Sequence, residues 1–269
     1  MTEKVTIAAL QQMKRDGKKS IGIVAWDYQI ARIADRAGVD FISVGDSVGV
    51  NLWGHDDPLQ VTMDEMLIVC KAVRRGTTRA LVSCDLPYGP VQQSPKAAIA
   101  AAEALMKDGG ADMIKVDAAA DYPDAVRALV EAGVPVFAQF GLTPQTAAKH
   151  GIPYSAQNSP EAQATAEAAA KLVEEAKMLE AAGAVALDFT NSGPVAGAAV
   201  VKAVKIPVIG GFGGGPWLDG RVRLVHTAIG YGEKWLDSKT DTYGNTAKLA
   251  LEAFTALIAD ARAGRQIKG

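Results

Sequence analysis

The sequence has few cysteines, no long apolar run and no excess of charge of one sign. Two cysteines in 269 residues, Cys70 and Cys84, are too few for a disulfide framework. No apolar segment is long enough to cross a bilayer, and none follows a basic start. The formal net charge is −2 and Lys and Arg are not clustered, which argues against nucleic-acid and membrane-surface partners. These absences predict a reduced, soluble, cytoplasmic protein.

Short apolar runs alternate along the chain with amphipathic or Ala-rich stretches. The runs are apolar throughout, which is typical of parallel strands that helices cover on the outside. Seven runs are predicted strands: Ser20–Ala25, Phe41–Gly45, Ala80–Cys84, Met113–Val116, Val134–Ala138, Val185–Phe189 and Pro207–Gly210. Helices are predicted near Tyr28–Ala37, Met63–Arg74, Pro95–Gly109, Tyr122–Ala132, Pro160–Ala182 and Pro194–Val204. Phrases such as Ala37-Gly38-Val39-Asp40 place a glycine at the helix end, just before the next strand.

This βαβα rhythm predicts a parallel sheet, and 269 residues is an ordinary length for one (β/α)8 barrel. We therefore predict a single TIM-barrel domain over residues 1–269. Because only seven strands are evident, an open doubly wound sheet is the alternative. The C-terminal part, Asp219–Lys268, is predicted to be mostly helical. The polar stretch His150–Ser159 is predicted to be an active-site lid or a docking loop.

Polar residues follow or end several of the predicted strands. In a barrel these strand ends meet at one mouth, so Asp46, Asp85 and Asp117 are expected to converge. Three carboxylates repel one another unless a cation joins them, and Mg²⁺ fits because it needs few protein ligands. Such a metal would polarise the carbonyl of a bound 2-oxo acid and stabilise its enolate. Lys115 is expected to pair with the carboxylate of that substrate.

Each of these residues also has a structural interpretation. A lone aspartate after a strand is often the N-cap of the next helix. Lys115 is harder to explain in that way, because an unpaired buried lysine is costly. His55, His150 and His226 lack the spacing of a metal site. The glycines of residues 210–215 indicate close backbone approach to a neighbouring strand or a ligand, with a phosphate-binding turn as the alternative.

Several motifs, taken in order, resemble the ketopantoate hydroxymethyltransferase family. The match runs from near Val5 to about Lys234, which makes it far more specific than any single motif. The motifs are Val44-Gly45-Asp46-Ser47-Val48-Gly49, Gly54-His55-Asp56, Ala72-Val73-Arg74-Arg75-Gly76, Asp85-Leu86-Pro87, Gly141-Leu142-Thr143-Pro144-Gln145, Ala181-Ala182-Gly183-Ala184 and Ile206-Pro207-Val208-Ile209-Gly210.

The resemblance implies a (β/α)8 barrel and a homo-oligomer, commonly a decamer. It implies transfer of a hydroxymethyl group from 5,10-methylenetetrahydrofolate to a 2-oxo acid such as 2-oxoisovalerate, giving ketopantoate for pantothenate biosynthesis. By motif, Asp46 and Asp85 fall on the magnesium-binding aspartates of the family. Ser47 and Lys115 fall on residues that hold the substrate. Asp117 takes the place of a glutamate near the metal and reaches one methylene less.

The sequence departs from the family pattern on the far side of the site. Gln139 stands where the family has a histidine, and it cannot titrate near neutral pH. Counted without gaps, the glutamate base of the family falls on Thr190, whereas a two-residue gap would bring Asp188 to it. Asp188 shares a strand face with Thr190 and is the predicted base. The following residues, Asn191-Ser192-Gly193-Pro194, look remodelled, and Trp26 replaces a tyrosine.

These considerations give a predicted site and two rival functions. The predicted catalytic residues are Lys115, Asp188 and Thr190; the substrate-binding residues are Asp46, Ser47, Asp85, Lys115 and Gln139; and the metal ligands are Asp46, Asp85 and Asp117. The first rival function is a Mg²⁺-dependent C–C lyase or hydrolase of the phosphoenolpyruvate mutase and isocitrate lyase superfamily. The second is a non-catalytic ligand-binding barrel. Free formaldehyde is the alternative to folate as one-carbon donor.

Overall fold

The computed structural model describes residues 3–157 and 159–269, and its eight parallel strands close into a barrel in sequence order. The strands are β1 Ser20–Val24, β2 Phe41–Val44, β3 Leu81–Asp85, β4 Met113–Val116, β5 Val136–Gly141, β6 Ala186–Thr190, β7 Val208–Gly210 and β8 Gly220–Leu224. The predicted (β/α)8 barrel is confirmed, and the open-sheet alternative is wrong. All seven predicted strands overlap observed ones.

Helices alternate with the strands along the chain. The α-helices are α1 Ile7–Arg15, α2 Tyr28–Ala37, α3 Met63–Gly76, α4 Pro90–Gln93, α5 Pro95–Lys107, α6 Pro123–Glu131, α7 Pro144–Lys149, α8 Ala169–Ala181, α9 Pro194–Ala203, α10 Val225–Ile229 and α11 Thr246–Arg262. A π-helical turn spans Gly49–Trp53, and 3-10 turns span Pro58–Gln60, Ala119–Asp121, Tyr154–Ala156, Pro160–Ala162 and Glu233–Trp235.

Local sequence signals explain where several helices begin and end. Thr62 and Glu65 form a capping box at the start of α3, in which each side chain bonds to the backbone of the other residue. At the end of α2, Gly38 adopts φ 90°, a left-handed conformation that favours glycine. The glycine caps that the repeated phrases predict are therefore confirmed at this position.

The strands carry an apolar layer at their starts and a polar layer at their ends. Met113, Phe137 and Ala186 belong to one buried cluster inside the barrel. Side chains alternate between the two faces of a strand, so residues two positions further along point into the same interior. Those residues are Lys115, Gln139 and Asp188. The hydrophobic core thus sits beneath a polar mouth at the carboxyl ends of the strands.

Two of the predicted elements are wrong in part. Strand β8 lies in the region that was predicted to be mostly helical. The prediction missed it because the segment Gly220–Leu224 carries two arginines and has no long apolar run. Helix α8 begins at Ala169, whereas the prediction began it at Pro160, where the structure has only a 3-10 turn. The polar stretch His150–Ser159 contains such a turn at Tyr154–Ala156, and Asn158 lies outside the described residues.

The chain divides into two compact units, one ending at Val222 and the other spanning Arg223–Gly269. Within the second unit the Tyr243 amide donates to the Ala228 carbonyl (3.0 Å), and Asn245 Nδ2 donates to the Trp235 carbonyl (3.0 Å). The single domain over residues 1–269 stays a prediction. Among the described helices, none has the length and apolarity needed to span a bilayer.

Candidate active site

The predicted site residues lie at the carboxyl ends of β2 to β6, and all of them are buried. Asp46 and Ser47 follow β2, Asp85 ends β3, and Lys115 lies in β4 with Asp117 directly after it. On the other side, Gln139 belongs to β5, and β6 carries Asp188 and Thr190. The three carboxylates of Asp46, Asp85 and Asp117 are called the aspartate cluster below.

Lys115 links the two sides of the mouth. Its Nζ lies 2.8 Å from Asp85 Oδ2 and 3.6 Å from Asp188 Oδ2. Burial acts to lower the pKa of Lys115, but the carboxylates of Asp85 and Asp188 raise it above its ordinary value. The two carboxylates favour the charged ammonium form of Lys115 inside the barrel and offset the cost of burying it.

The aspartate cluster concentrates negative charge around this lysine. The backbone N–H of Asp46 donates to Asp85 Oδ2 at 3.3 Å, which brings the two residues into direct contact. Burial first, and then repulsion from Asp85 and Asp117, raises the pKa of Asp46 well above its usual value. Burial likewise raises the pKa of Asp117 to about 7, although hydrogen bonds from Thr143 and Gln145 act against it. A cation at this position would relieve the repulsion.

Two oxygens of the aspartate cluster lack hydrogen-bond partners. Asp85 Oδ1 and Asp117 Oδ1 are buried and accept no hydrogen bond within residues 3–157 and 159–269. Buried carboxylate oxygens are normally bonded, so these two acceptors are available to a ligand. Over the same residues, no group of three or more His, Cys, Asp or Glu side chains is arranged as a ready-made metal cage.

Asp188 is the only carboxylate of the mouth that comes from β6. Its Oδ1 accepts a hydrogen bond from the Gly211 backbone N–H at 3.2 Å, and its Oδ2 faces Lys115. Burial raises the pKa of Asp188, while Lys115 and the Gly211 N–H act in the opposite direction. The raised pKa makes Asp188 a stronger base than an exposed aspartate.

Gln139 and Thr190 bond to each other. Gln139 Nε2 donates to Thr190 Oγ1 at 3.0 Å across the β5–β6 pair. In the register of these strands Gln139 lies beside Asp188, and Gly141 lies beside Thr190. This side of the mouth therefore presents a neutral pair, with Asp188 as its neighbour.

The turn after β6 is held by a second set of side chains. Gln163 Nε2 donates to Asn191 Oδ1 at 3.1 Å, and Gln163 Oε1 accepts from the Gly193 N–H at 3.1 Å. Asn191 has φ 52°, an uncommon conformation for a residue with a side chain. Trp217 Nε1 donates to Ser192 Oγ at 2.9 Å. These bonds fix the turn that the sequence indicated as remodelled.

The glycine-rich segment after β7 packs closely against its neighbours. A Cβ added at Gly210 would clash with the Leu218 side chain, and one at Gly213 would clash with Asn191 and Gln163. Close backbone approach to neighbouring segments, as predicted, is confirmed.

Three further side chains of the site received no role from the sequence. Gln145 in α7 donates through Nε2 to Asp46 Oδ2 at 3.4 Å, and its backbone N–H donates to Asp117 Oδ2 at 3.3 Å. Trp26 Nε1 donates to the Gly45 carbonyl at 2.8 Å, next to Asp46. Tyr154 has its hydroxyl buried beside Ser47. The Thr143-Pro144 pair predicts the start of a helix, and this was the sequence signal that could have drawn attention to Gln145.

Two solved structures have a similar fold. The chain superposes on 2,3-dimethylmalate lyase, a PEP mutase/isocitrate lyase superfamily member, with a TM-score of 0.63 at 14% identity, covering 95% of this chain and 88% of the other. It superposes on a putative phosphonomutase from Burkholderia cenocepacia with a TM-score of 0.62 at 18% identity, covering 96% and 98%. The fold is therefore a (β/α)8 barrel of the type found in that superfamily.

The sequence relatives identify the family. The sequence model of the ketopantoate hydroxymethyltransferase family matches residues 4–266 of the chain. The 3-methyl-2-oxobutanoate hydroxymethyltransferase of Geobacter metallireducens is 36% identical over 98% of this chain and 96% of its own length. The enzyme of that name from a Cyanothece species is 40% identical over 86% of each chain. The chain belongs to the ketopantoate hydroxymethyltransferase family, a family of enzymes, as the motifs predicted.

Proposed function

We propose that this protein transfers a hydroxymethyl group from 5,10-methylenetetrahydrofolate to a 2-oxo acid such as 2-oxoisovalerate, giving ketopantoate. The observation that carries the proposal is the buried cluster of Lys115 with Asp85 and Asp188 at the carboxyl end of the barrel. One ammonium group faces carboxylates from both sides of the mouth. That arrangement suits a site that binds an anionic substrate and removes a proton from it.

The aspartate cluster suits Mg²⁺, with Asp46 and Asp85 as ligands and Asp117 nearby. Asp85 Oδ1 and Asp117 Oδ1 are acceptors without a hydrogen bond in the described ranges, and the mutual repulsion within the cluster favours a cation. Mg²⁺ usually takes one or two protein carboxylates and keeps its waters, so a three-ligand cage is not required. Bound Mg²⁺ would polarise the carbonyl of the 2-oxo acid and ease removal of the proton beside it.

The residues of the chain have separate roles in this proposal. Lys115 and the Ser47 hydroxyl hold the carboxylate of the 2-oxo acid. Asp188 accepts the proton from the carbon next to the carbonyl, and its raised pKa favours that role. Gln139 and Thr190, which are bonded to each other, line the pocket without taking a proton. Water releases the one-carbon unit from the folate as formaldehyde and leaves tetrahydrofolate. The carbon that has lost its proton then attacks the formaldehyde carbon, and the alkoxide that forms takes up a proton.

The proposal extends to a homo-oligomer, with a decamer as the family expectation, and to a cytoplasmic location. Helix α11 supports self-association, because it carries the exposed apolar side chains Leu249, Leu251 and Phe254. Sedimentation of the purified full chain measures the oligomer size.

A C–C lyase acting on a 2-oxo acid or related carboxylate is the second candidate. The neutral Gln139–Thr190 pair favours it. Counted without gaps, the glutamate base of the family falls on Thr190, whose hydroxyl is a poor proton acceptor. A lyase with the same cluster would cleave a bond next to the carbonyl and so would need a differently placed proton acceptor.

Product analysis separates the two candidates. The protein is incubated with Mg²⁺, 2-oxoisovalerate and either 5,10-methylenetetrahydrofolate or formaldehyde, and ketopantoate is measured by mass spectrometry. We expect ketopantoate with one of the two donors and none after EDTA is added. Failure with both donors, together with cleavage of a substituted malate, would replace the transferase by the lyase.

A further inference from the structure

Tyr154 lies in the segment between α7 and α8, within the stretch predicted to be a lid or a docking loop. It begins the 3-10 turn Tyr154–Ala156, and Gln157, which follows this turn, is buried and donates through Nε2 to the Pro144 carbonyl at 3.5 Å. The Ile152 N–H donates to the Ala147 carbonyl at 3.0 Å. These bonds attach the segment to α7, whose Gln145 contacts the aspartate cluster.

The ring of Tyr154 is held by packing. It meets the ring of Phe212 edge to face, with centroids 5.4 Å apart and an interplanar angle of 74°. Phe212 belongs to the glycine-rich segment after β7, and its carbonyl accepts from the Asn191 N–H at 2.7 Å. Tyr154 also lines a cavity of about 290 Å³ together with Asp56, Leu59 and neighbouring residues. The ring therefore stands between this cavity and the buried mouth.

The hydroxyl of Tyr154 is buried at the other end of the ring. It faces the side chains of Ser47 and Asn51 and lies near the carboxylate of Asp46. Within the described parts of the chain it makes no hydrogen bond of acceptable geometry, although a buried hydroxyl normally has a partner. Burial, and after it the charge of Asp46, raises the pKa of Tyr154 above its ordinary value, so the phenol keeps its proton at neutral pH. The hydroxyl thus has polar neighbours but no well-formed hydrogen bond to them, so its donor is available to a ligand.

We propose that Tyr154 is a further substrate-binding residue, whose hydroxyl donates a hydrogen bond to a carboxylate oxygen of the bound 2-oxo acid, beside the hydroxyl of Ser47. The inference rests on the proposed function, because that function supplies the 2-oxo acid as ligand. The acceptor that Tyr154 lacks is then the substrate itself. Because Tyr154 belongs to the segment after α7, this bond also ties the segment to the occupied site.

The test measures binding without turnover. Oxalate is titrated by calorimetry into the full chain at saturating Mg²⁺. It does not react, and it has a carboxylate next to a second oxygen-bearing carbon, as a 2-oxo acid does. The proteins compared are the parent, Tyr154→Phe and the control Tyr28→Phe. The Tyr28 hydroxyl lies on α2, where it accepts a hydrogen bond from Arg32. Phenylalanine keeps the ring contact with Phe212, so Tyr154→Phe should unfold at the parent's temperature.

We expect Tyr154→Phe to bind oxalate about 10-fold more weakly than the parent, as is typical when a hydrogen bond to a charged group is lost. Mg²⁺ affinity without oxalate should not change, and Tyr28→Phe should match the parent in both titrations. Equal oxalate affinity in the parent and in Tyr154→Phe would overturn the inference.

The outcome of this test is separable from that of the proposed function. If the parent forms ketopantoate and Tyr154→Phe binds oxalate as tightly as the parent, the function stands and the inference fails. If the parent binds oxalate more tightly than Tyr154→Phe but forms no hydroxymethyl product, the inference stands and the function fails. A parent that does not bind oxalate at all would overturn the inference, and product analysis alone would decide the function.

Discussion

The two sides of the barrel mouth differ in charge and in how completely their polar groups are bonded. On the β2–β4 side, the aspartate cluster surrounds Lys115 and keeps two carboxylate oxygens without partners in the described residues. On the β5–β6 side, Gln139 and Thr190 are hydrogen-bonded to each other, and Gln163 bonds to the turn that follows β6. The first side is the one to which the proposal assigns the cation and the anionic ligand. The second side is internally bonded and leaves Asp188 as its one carboxylate.

This difference separates binding from proton transfer. The β2–β4 side, called the charged side below, carries the residues that the family resemblance assigns to metal and substrate. By the family resemblance, Gln139 and, counted without gaps, Thr190 stand where the family has titratable groups on the β5–β6 side, called the neutral side below. The proposal therefore assigns proton transfer to Asp188 in β6. Each of the following substitutions tests one side of the comparison, beginning with the largest expected effect.

Asp188→Asn should reduce exchange of the C3 proton of 2-oxoisovalerate with solvent by about 10²–10⁴-fold, the range expected for a general base. The asparagine keeps the size of the side chain but cannot accept the proton. Proton NMR in D₂O measures the rate. Asp219→Asn, which changes an aspartate that directly precedes β8 and is ion-paired with Lys14, serves as the control. Exchange at the parent rate in Asp188→Asn would show that Asp188 is not the base.

Asp46→Asn should weaken Mg²⁺ binding by roughly 10-fold or more, because a hard cation loses a carboxylate ligand. Activity should fall in parallel. Calorimetric titration of Mg²⁺ measures the affinity, and Asp40→Asn, at the start of β2, should bind as the parent does. Unchanged Mg²⁺ affinity in Asp46→Asn would show that the charged side does not bind the metal there.

Thr190→Val should slow proton exchange by only a few-fold. The change removes the acceptor of Gln139 Nε2 and leaves a buried donor unbonded, which costs roughly 1–3 kcal/mol of stability. The pair has a positioning role in this account, so the loss should appear mainly as a lower melting temperature. A loss of exchange as large as that of Asp188→Asn would mean that Thr190 takes part in proton transfer.

Asp35→Ala should lower stability by roughly 1–3 kcal/mol at neutral pH without changing proton exchange. Burial acts to raise the pKa of Asp35, but the Ala80 N–H and the hydroxyl and N–H of Thr78 bond to the carboxylate, and the pKa is lowered overall. A lowered folded-state pKa means that this stabilisation is present above the unfolded pKa of about 4 and is lost as the pH falls below it. Urea unfolding at pH 7 and pH 3 measures both values. An equal stability difference at the two pH values would contradict the prediction.

The sequence predicted the barrel and its charged side because both follow from local patterns. Each polar residue comes directly after an apolar run, and the alternation of strand faces carries Lys115 and Asp188 into the mouth. Strand β8 could not be predicted in this way, since two arginines interrupt its apolar pattern. Tyr154 and Gln163 were also beyond the sequence, because their contacts join segments whose packing is set by tertiary structure.

Proton exchange of 2-oxoisovalerate in D₂O with the parent protein tests the central claim, that a charged side binds the acid while Asp188 removes its proton. We predict exchange at C3 that requires the protein and stops when EDTA removes Mg²⁺. No exchange in the presence of Mg²⁺, or exchange that EDTA leaves unchanged, would contradict this account of the site.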